Sequence, residues 1–326
     1  MLIEYNGTSV SLPDYFIVGA PRCGTSTLYS YLSAHPRIFM PIEKEPMFFS
    51  CWKREPIMDI LPPRRPMQWA VGEPDDYLAM FQPAREGQIL GEASTWYLSD
   101  HEHVLSNMSA LYGERLREVK IIIALRNPAD RAWSQYLQKK GERRENMDFE
   151  SAIAPDIMAS RREENLSLSY DYIAFSKYSS GVGAYLDRFD KVQVIIFEEF
   201  FPRVGENILS VFDFLGVSQG EKRVARRKDN VSGLPRGKMG EAALDLVYRP
   251  NALKSAVKLF LPRRLRSPAK YRIKSAFLKR TTLNPDLRQR LLEGCRADIV
   301  QLERLLGRDL SLWFKEDVRQ EQGART

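Results

Sequence analysis

The stretch Tyr15-Phe16-Ile17-Val18-Gly19-Ala20-Pro21-Arg22-Cys23-Gly24-Thr25-Ser26-Thr27-Leu28 decides the fold. Residues 15–19 read as a short buried strand, and a glycine turn follows. Leu28, Tyr31 and Leu32 then recur at helical spacing, which predicts a helix over about 25–34. Strand, glycine turn and helix in that order aim backbone N–H groups and a helix N-terminus at one point, where an anion is stabilised. Gly19 and Gly24 bracket four residues, the frame of a phosphate-binding loop. The slot after Gly24 holds Thr25-Ser26, without the lysine that a Walker loop needs.

The rest of the chain repeats the strand–helix theme. Residues 119–125 (VKIIIAL) form the clearest buried strand, a β-branched run typical of a parallel sheet covered on both faces. RNPADRAWSQYLQKK then reads as a turn and a helix with proline near its start. Residues 88–94 and 192–197 are further strands, and the helix after the latter ends at Gly216. A final amphipathic helix is expected over 284–306. Residues 41–75 carry seven prolines and no clean period, so a long ordered loop is expected there. The pattern is that of an α/β chain with a P-loop-like three-layer fold, a central mainly parallel β-sheet flanked by helices. One domain is expected over 1–326, with its core at about 15–240, a basic helical part at 241–315 and a short tail at 316–326.

Composition narrows the chemistry. Hydrophobic residues make up 44%, which excludes a disordered or fibrous chain. The 49 Lys and Arg outnumber the 42 Asp and Glu, giving +7 and pointing to a negatively charged partner. Three cysteines and three histidines lack metal-ligand spacing, so no metal site is expected. No apolar run reaches the ~18 residues of a membrane span, and the N-terminus lacks a basic region, so a cytoplasmic protein is expected. A nucleoside triphosphatase needs a carboxylate that helps hold Mg²⁺, commonly at a strand end. Here VKIIIAL ends in Arg126-Asn127, so the loop is read as built for a phosphate-like group met by protein cations. Cys23 is read as a small turn residue, not a nucleophile. A P-loop kinase-like phosphotransferase, or a basic membrane- or nucleic-acid-binding protein, is the competing reading.

Four separated blocks, FIVGAPRCGTSTLYSYLSAHP, KEPMFFS, GEASTWYL and IIIALRNPADRAWSQYL, stand in the order found in one family. The chain resembles, from about residue 15 to 315, the sulfotransferases that use 3′-phosphoadenosine 5′-phosphosulfate (PAPS), above all the heparan-sulfate-type and related bacterial enzymes. The resemblance implies a sulfuryl transfer that needs no metal and leaves adenosine 3′,5′-bisphosphate (PAP). It places Arg22, Cys23, Gly24, Thr25, Ser26 and Thr27 around the 5′-phosphosulfate, and Arg126 and Ser134 at the 3′-phosphate. Arg236 and Gly237, in NVSGLPRGK, match a second donor-gripping loop. Many members carry lysine where this chain has Arg22. Arginine stabilises charge on the leaving group but stays protonated, so Lys44 is the candidate for a proton-donating contact.

The resemblance also implies a base. Glu45 precedes Phe48-Phe49 at the family spacing, with Glu43 as its rival. A carboxylate beside an aromatic wall sheds water and becomes a stronger base. Glu92, Ser94, Trp96 and His101 are candidate acceptor contacts. The implied acceptor is a carbohydrate, glycolipid or natural-product hydroxyl, with an amine ranked below it. The basic surplus is local. Residues 249–280 hold 11 Lys or Arg and no acid, and the remainder is left at −4. That segment suits contact with an acidic membrane surface, making the protein peripheral there, and nucleic acid is not the expected partner.

Overall fold

The computed structural model describes residues 1–5, 7–57, 70–164, 166, 168–217, 233–248, 276–279 and 281–315. The chain opens with an antiparallel hairpin, β1 (Leu2–Tyr5) and β2 (Thr8–Ser11), and enters the main sheet at β3 (Tyr15–Gly19). After α1 (Thr25–Ser33) come β4 (Ile38–Phe39), the short helices α2 (Phe48–Cys51) and α3 (Pro74–Ala79), β5 (Ile89–Ala93) and α4 (His101–Tyr112). The second half runs through β6 (Lys120–Leu125), α5 (Pro128–Gly141), α6 (Phe149–Ala152), α7 (Pro155–Glu163), α8 (Ser179–Arg188) and β7 (Lys191–Ile196). There follow α9 (Phe197–Phe200), α10 (Val204–Leu215), β8 (Leu234–Pro235), α11 (Gly237–Tyr248) and β9 (Leu278–Lys279). Two helices, α12 (Pro285–Gly294) and α13 (Arg296–Leu306), close the described chain.

The five main strands lie in the order β4-β5-β3-β6-β7, and every neighbouring pair is parallel. From β3 the chain first builds one side of the sheet and then crosses to the other, so the turn after β3 sits at a topological switch point. Open α/β sheets bind ligands there. The apolar runs read from the sequence are the strands: Tyr15 to Val18 and Ile121 to Leu125 have no exposure. Gly91, mid-strand in β5, is required by packing, because a Cβ there would fall 2.1 Å from the Tyr15 ring carbon Cζ on the paired strand.

Helix ends follow their sequence signals. Asn127 caps α5, its side chain accepting from the N–H groups of Ala129 and Asp130, with Pro128 next in line. Gly216 ends α10 in the left-handed conformation at φ 78°. Two expectations are corrected. The helix expected over 284–306 breaks into α12 and α13 at Gly294-Cys295, where glycine weakens the helix and Cys295 is buried. The expected loop at 41–75 holds α2 and the start of α3, because Phe48 and Phe49 are buried in the core. Residues 249–275 and 280 of the basic segment, the loop through 218–232 and the tail 316–326 lie outside the described residues. Leu292, Ile299, Leu302 and Trp313 share one core with β3 and β6.

Arg131 on α5 has no exposure, yet it is charged. It donates from Nε to Ser176 Oγ at 2.7 Å, from Nη2 to the Tyr172 carbonyl at 2.6 Å and from Nη1 to Gln135 Oε1. Burying such a group is tolerable only while its donors are matched. Arg131→Leu should therefore cost about 2–4 kcal/mol, through the acceptors it strands. Urea unfolding measures this, and a loss below about 1 kcal/mol, the worth of one ordinary hydrogen bond, would contradict the assignment.

Candidate active site

The turn after β3 is tied to the sheet by Ala20 N–H, which donates to the Ala124 carbonyl at 2.6 Å. Two left-handed residues shape it, Arg22 at φ 69° and Gly24 at φ 86°. At Gly24 a Cβ would also lie 2.1 Å from the Phe201 ring, so glycine is required twice over. Gly24 caps α1 without a side-chain hydrogen bond, and the first turn of α1 carries no acid. By contrast, asparagine side chains cap α5 and α12. The N-terminus of α1 thus carries neither a capping side chain nor an acid, an arrangement that suits an anion.

In front of it lies a cavity of about 380 Å³. Ser26, Lys44 and Glu45 meet there: Lys44 Nζ donates to Ser26 Oγ at 2.9 Å and pairs with Glu45 Oε1 at 3.2 Å. Glu43, the rival base, is exposed and is not among the lining residues. Glu45 and Met47 are both left-handed, at φ 62° and 58°. Strand β5 and the residues just after it hold this bent loop. Glu45 N–H donates to the Ala93 carbonyl at 3.0 Å, Met47 N–H to Ser94 Oγ at 3.1 Å, and Phe49 N–H to the Tyr97 hydroxyl at 3.2 Å. The hydroxyls of Tyr77 and Tyr97 both donate to Glu92 Oε2, at 2.7 and 3.0 Å.

Glu92 and Ser94, expected at the acceptor, are therefore behind the wall. They have 1% and 0% exposure and anchor the loop that carries Glu45. Of that segment Trp96 does line the cavity, set edge-on to Phe175 at 6.1 Å. His101 lies in a different cleft, between α4, α8 and α13, with Nε2 3.1 Å from Ser180 Oγ. It is distant from the cavity because α4 begins there and leads away from β5.

Arg22 Nε donates to Ser134 Oγ at 3.0 Å and Nη1 to Gln138 Oε1 at 3.3 Å. Arg126 Nη1 donates to the Arg22 carbonyl at 3.4 Å, and its guanidinium sits over the Phe197 ring at 4.7 Å. So Arg126 and Ser134 both touch Arg22, whereas the resemblance sets Arg22 at the 5′-phosphosulfate and Arg126 and Ser134 at the 3′-phosphate. Burial, and then the charge of Arg126, lower the Arg22 pKa to about 10. Arg126 and Phe197 line a second cavity, of about 260 Å³. Cys23 is buried, and burial pushes its thiol up to about 12, which suits a turn residue and not a nucleophile. Thr25 and Ser26 line the main cavity, whereas Cys23, Gly24 and Thr27 are not among its lining. Arg236 and Gly237 sit where β8 meets α11. Arg236 bonds the carbonyls of Phe277 and Leu278, and neither residue lines either cavity.

The sequence reading missed the far wall of the cavity, made by Gln138, Lys139, Arg144, Ser169 and Tyr170. Lys139 Nζ donates to Ser169 Oγ at 2.7 Å and lies over the Tyr170 ring at 4.2 Å. The one available signal was the pair of polar i,i+4 steps on α5, Ser134–Gln138 and Gln135–Lys139.

Glu92 yields a pH prediction. Burial raises its carboxyl from 4.5 to about 7, so between those values the folded chain holds a proton that the unfolded chain has lost. Stability from this group is full below the lower value and falls as pH rises to the upper one, by up to about 3 kcal/mol. Glu92→Gln should flatten that slope. Urea unfolding at several pH values across the window checks it, and an unchanged slope would refute it.

Comparisons with known proteins were made with this geometry in view. The chain is 27% identical over 195 residues to carbohydrate sulfotransferase 15 of Mus musculus, covering 49% of this chain and 32% of that protein. It is 24% identical over 213 residues to heparan sulfate glucosamine 3-O-sulfotransferase 3A1 of Mus musculus, covering 65% and 47%. The chain spans between 24% and 47% of the length of the curated relatives it matches. A sulfotransferase crystal structure from Alicyclobacillus acidocaldarius superposes with a TM-score of 0.67 at 28% identity, over 94% of this chain and 100% of that one. Residues 12–232 match the sulfotransferase domain, a span that holds β3, the glycine turn, the Glu45 loop and α5. With most of the chain inside that match, and the cavity inside it too, this protein belongs to the sulfotransferase domain family.

Proposed function

We propose that this chain transfers the sulfuryl group of PAPS to a hydroxyl of a carbohydrate-type acceptor, with Glu45 as the base. One observation carries the reading: Ser26, Lys44 and Glu45 form a hydrogen-bonded chain in front of the uncapped end of α1. PAPS holds its sulfate in a mixed anhydride with phosphate. The acceptor oxygen attacks sulfur, Glu45 takes the acceptor proton, and the S–O bond to the 5′-phosphate breaks. The electron pair leaves with the phosphate oxygen of PAP. Lys44 and the α1 N-terminus lie where that oxygen gains charge, and fixed donors at such a point lower the barrier.

The Lys44–Glu45 contact gives this order. Lys44 is paired to the Glu45 carboxylate in the structure. An anion at α1 draws Lys44 toward itself and leaves Glu45 free to accept a proton. The nucleoside end of the donor has Arg126 and Phe197 beside it, a cation and an aromatic edge suited to a phosphate and a purine. On the acceptor side, Trp96 reaches the cavity wall and Gln138, Lys139 and Ser169 set polar groups around it, a mixture that suits a sugar. Relatives named for carbohydrate and heparan sulfate glucosamine acceptors support that class.

Calorimetry with PAP should give tight binding that persists when Mg²⁺ is chelated. Absence of binding, or binding of ATP with Mg²⁺ instead, would overturn the donor assignment. Glu45→Gln should lower turnover by about 10²–10⁴-fold, the usual worth of a general base, while PAP binding is retained. Turnover is read by mass spectrometry of sulfate added to a panel of glycan acceptors, and a variant as fast as wild type would remove Glu45 from the role.

A further inference from the structure

We infer that Trp313 is a positioning residue for this reaction: bonded to Asn127 and Glu198 in a closed triangle, it fixes the turn between β6 and α5, and with it Arg126 and the start of the helix that walls the main cavity. The inference rests on the PAPS reading. It gives a part in the site to a segment beyond residues 12–232, the span that matches the sulfotransferase domain.

Three observations carry it. First, the triangle is closed. Asn127 N–H donates to Glu198 Oε1 at 2.9 Å, Asn127 Nδ2 to the Trp313 carbonyl at 2.7 Å, and the Trp313 indole N–H to Glu198 Oε2 at 3.0 Å. Three separate stretches meet there: the end of β6, the start of α9 and the short turn Ser311–Phe314. Arg288 of α12 adds a brace. It donates to both carboxylate oxygens of Asp130, in the first turn of α5, and to the same Trp313 carbonyl at 3.2 Å. Second, the triangle has little slack. Asn127 has 1% exposure and Trp313 none. Burial raises the Glu198 pKa, and the N–H groups of Asn127 and Trp313 oppose that rise, so they favour its charged form. A carboxylate taken out of water and then deprived of such a donor is costly.

Third, what the triangle holds belongs to the site. Arg126 immediately precedes Asn127, and its guanidinium lies over Phe197, which immediately precedes Glu198. The Trp313 ring also packs at 6.2 Å against Tyr178, whose hydroxyl donates to the Arg126 carbonyl at 2.8 Å. Asn127 caps the helix that carries Ser134, Gln138 and Lys139. Glu198 and Trp313 stand with Arg126 and Phe197 in the wall of the second cavity. With no exposed surface of its own, Trp313 acts on a ligand only through these partners. Groups that grip a ligand must be held within about 0.5 Å of their working geometry, so a loosened turn weakens the grip without abolishing it.

Calorimetry with PAP on the full chain, beside urea unfolding, tests this. Trp313→Phe keeps an aromatic ring and removes the indole N–H, and PAP binding should weaken about tenfold, the order of one hydrogen bond to a charged group. Glu198→Gln sets an NH₂ where one of the two N–H donors now meets oxygen, and it should weaken binding by about the same factor. With both changes together that clash is gone. The double variant should then bind about as well as either single one, and not the ~100-fold more weakly that independent effects would give. Leu302→Ala, in the same core but outside the triangle, should lose stability yet keep PAP affinity within about twofold. If Trp313→Phe loses stability but binds PAP like wild type, Trp313 is a core residue only and the inference fails. If Leu302→Ala weakens PAP as much as Trp313→Phe does, or if the two single effects add in the double variant, it fails too. Should Trp313→Phe not fold, Glu198→Gln decides alone, and an unchanged PAP affinity overturns the inference. If wild-type protein binds no PAP, the donor reading itself is wrong, an outcome distinct from all of these.

Discussion

A guanidinium with no water around it, that of Arg131, holds the two halves of the site together. It fastens α5 to the segment at 172–176 through Tyr172 and Ser176, and one turn later Gln135 Nε2 takes the Ser169 carbonyl. One turn further, Lys139 takes the Ser169 hydroxyl. Residues 131, 135 and 139 thus form a stripe at i,i+4 spacing that carries the far wall of the cavity. The next stripe, Ser134 and Gln138, carries Arg22 from the glycine turn. A single helix therefore sets the glycine turn and the opposite wall against each other. A site built on a rigid element keeps its geometry better than one built on loops.

The backbone shows where that geometry was costly. Five described residues other than glycine have positive φ: Arg22, Glu45, Met47, Lys53 and Arg143. The first three line the cavity, and Arg143 lies between two residues that do. A left-handed non-glycine residue costs of order 1–3 kcal/mol. At Glu45 and Met47 the surrounding hydrogen bonds to Ala93 and Ser94 offset part of it, each being worth about 1 kcal/mol net. The buried Glu92–Tyr97–Phe49 chain adds a further anchor. Glu92 shapes the site from behind its wall, a buried carboxylate that anchors the loop carrying Glu45.

The sheet was legible because its strands are continuous apolar runs, and burial on both faces leaves such runs no alternative. The glycine turn was legible because Gly24 has two independent reasons to be glycine. Glu45 could be preferred over Glu43 only by its spacing to Phe48-Phe49, and the structure supplies the physical cause: those rings are buried, so the loop enters the core there and Glu45 stays at its edge. Glu92, Ser94 and His101 misled because sequence neighbours along a strand end part company in space. Strand β5 ends at Ala93, and the turn after it brings Thr95 and Trp96 to the cavity while Glu92 and Ser94 stay buried; a helix start then leads His101 into another cleft. The far wall was illegible for a different reason. Ser169 is held at the cavity by Gln135 and Lys139, some 30 residues distant along the chain, and no local pattern encodes those contacts.

The same distinction between local and long-range explains the charge. A net +7 describes the chain, but the cavity mixes signs: Arg22, Lys44, Lys139 and Arg144 stand with Glu45 and Glu142. The local run of basic residues at 249–280 accounts for the surplus, and the rest of the chain is slightly acidic. A run of basic residues attracts polyanions in general, and where charges meet water their reach is screened within about 8–10 Å at physiological salt. Half-buried cations that already hold Ser26, Ser134 and Gln138 are screened far less and select by geometry. Net charge is therefore a poor guide to this site. Its charge pattern rests on where three or four cations are fixed, and the fixing is done by α5 and the Glu45 loop.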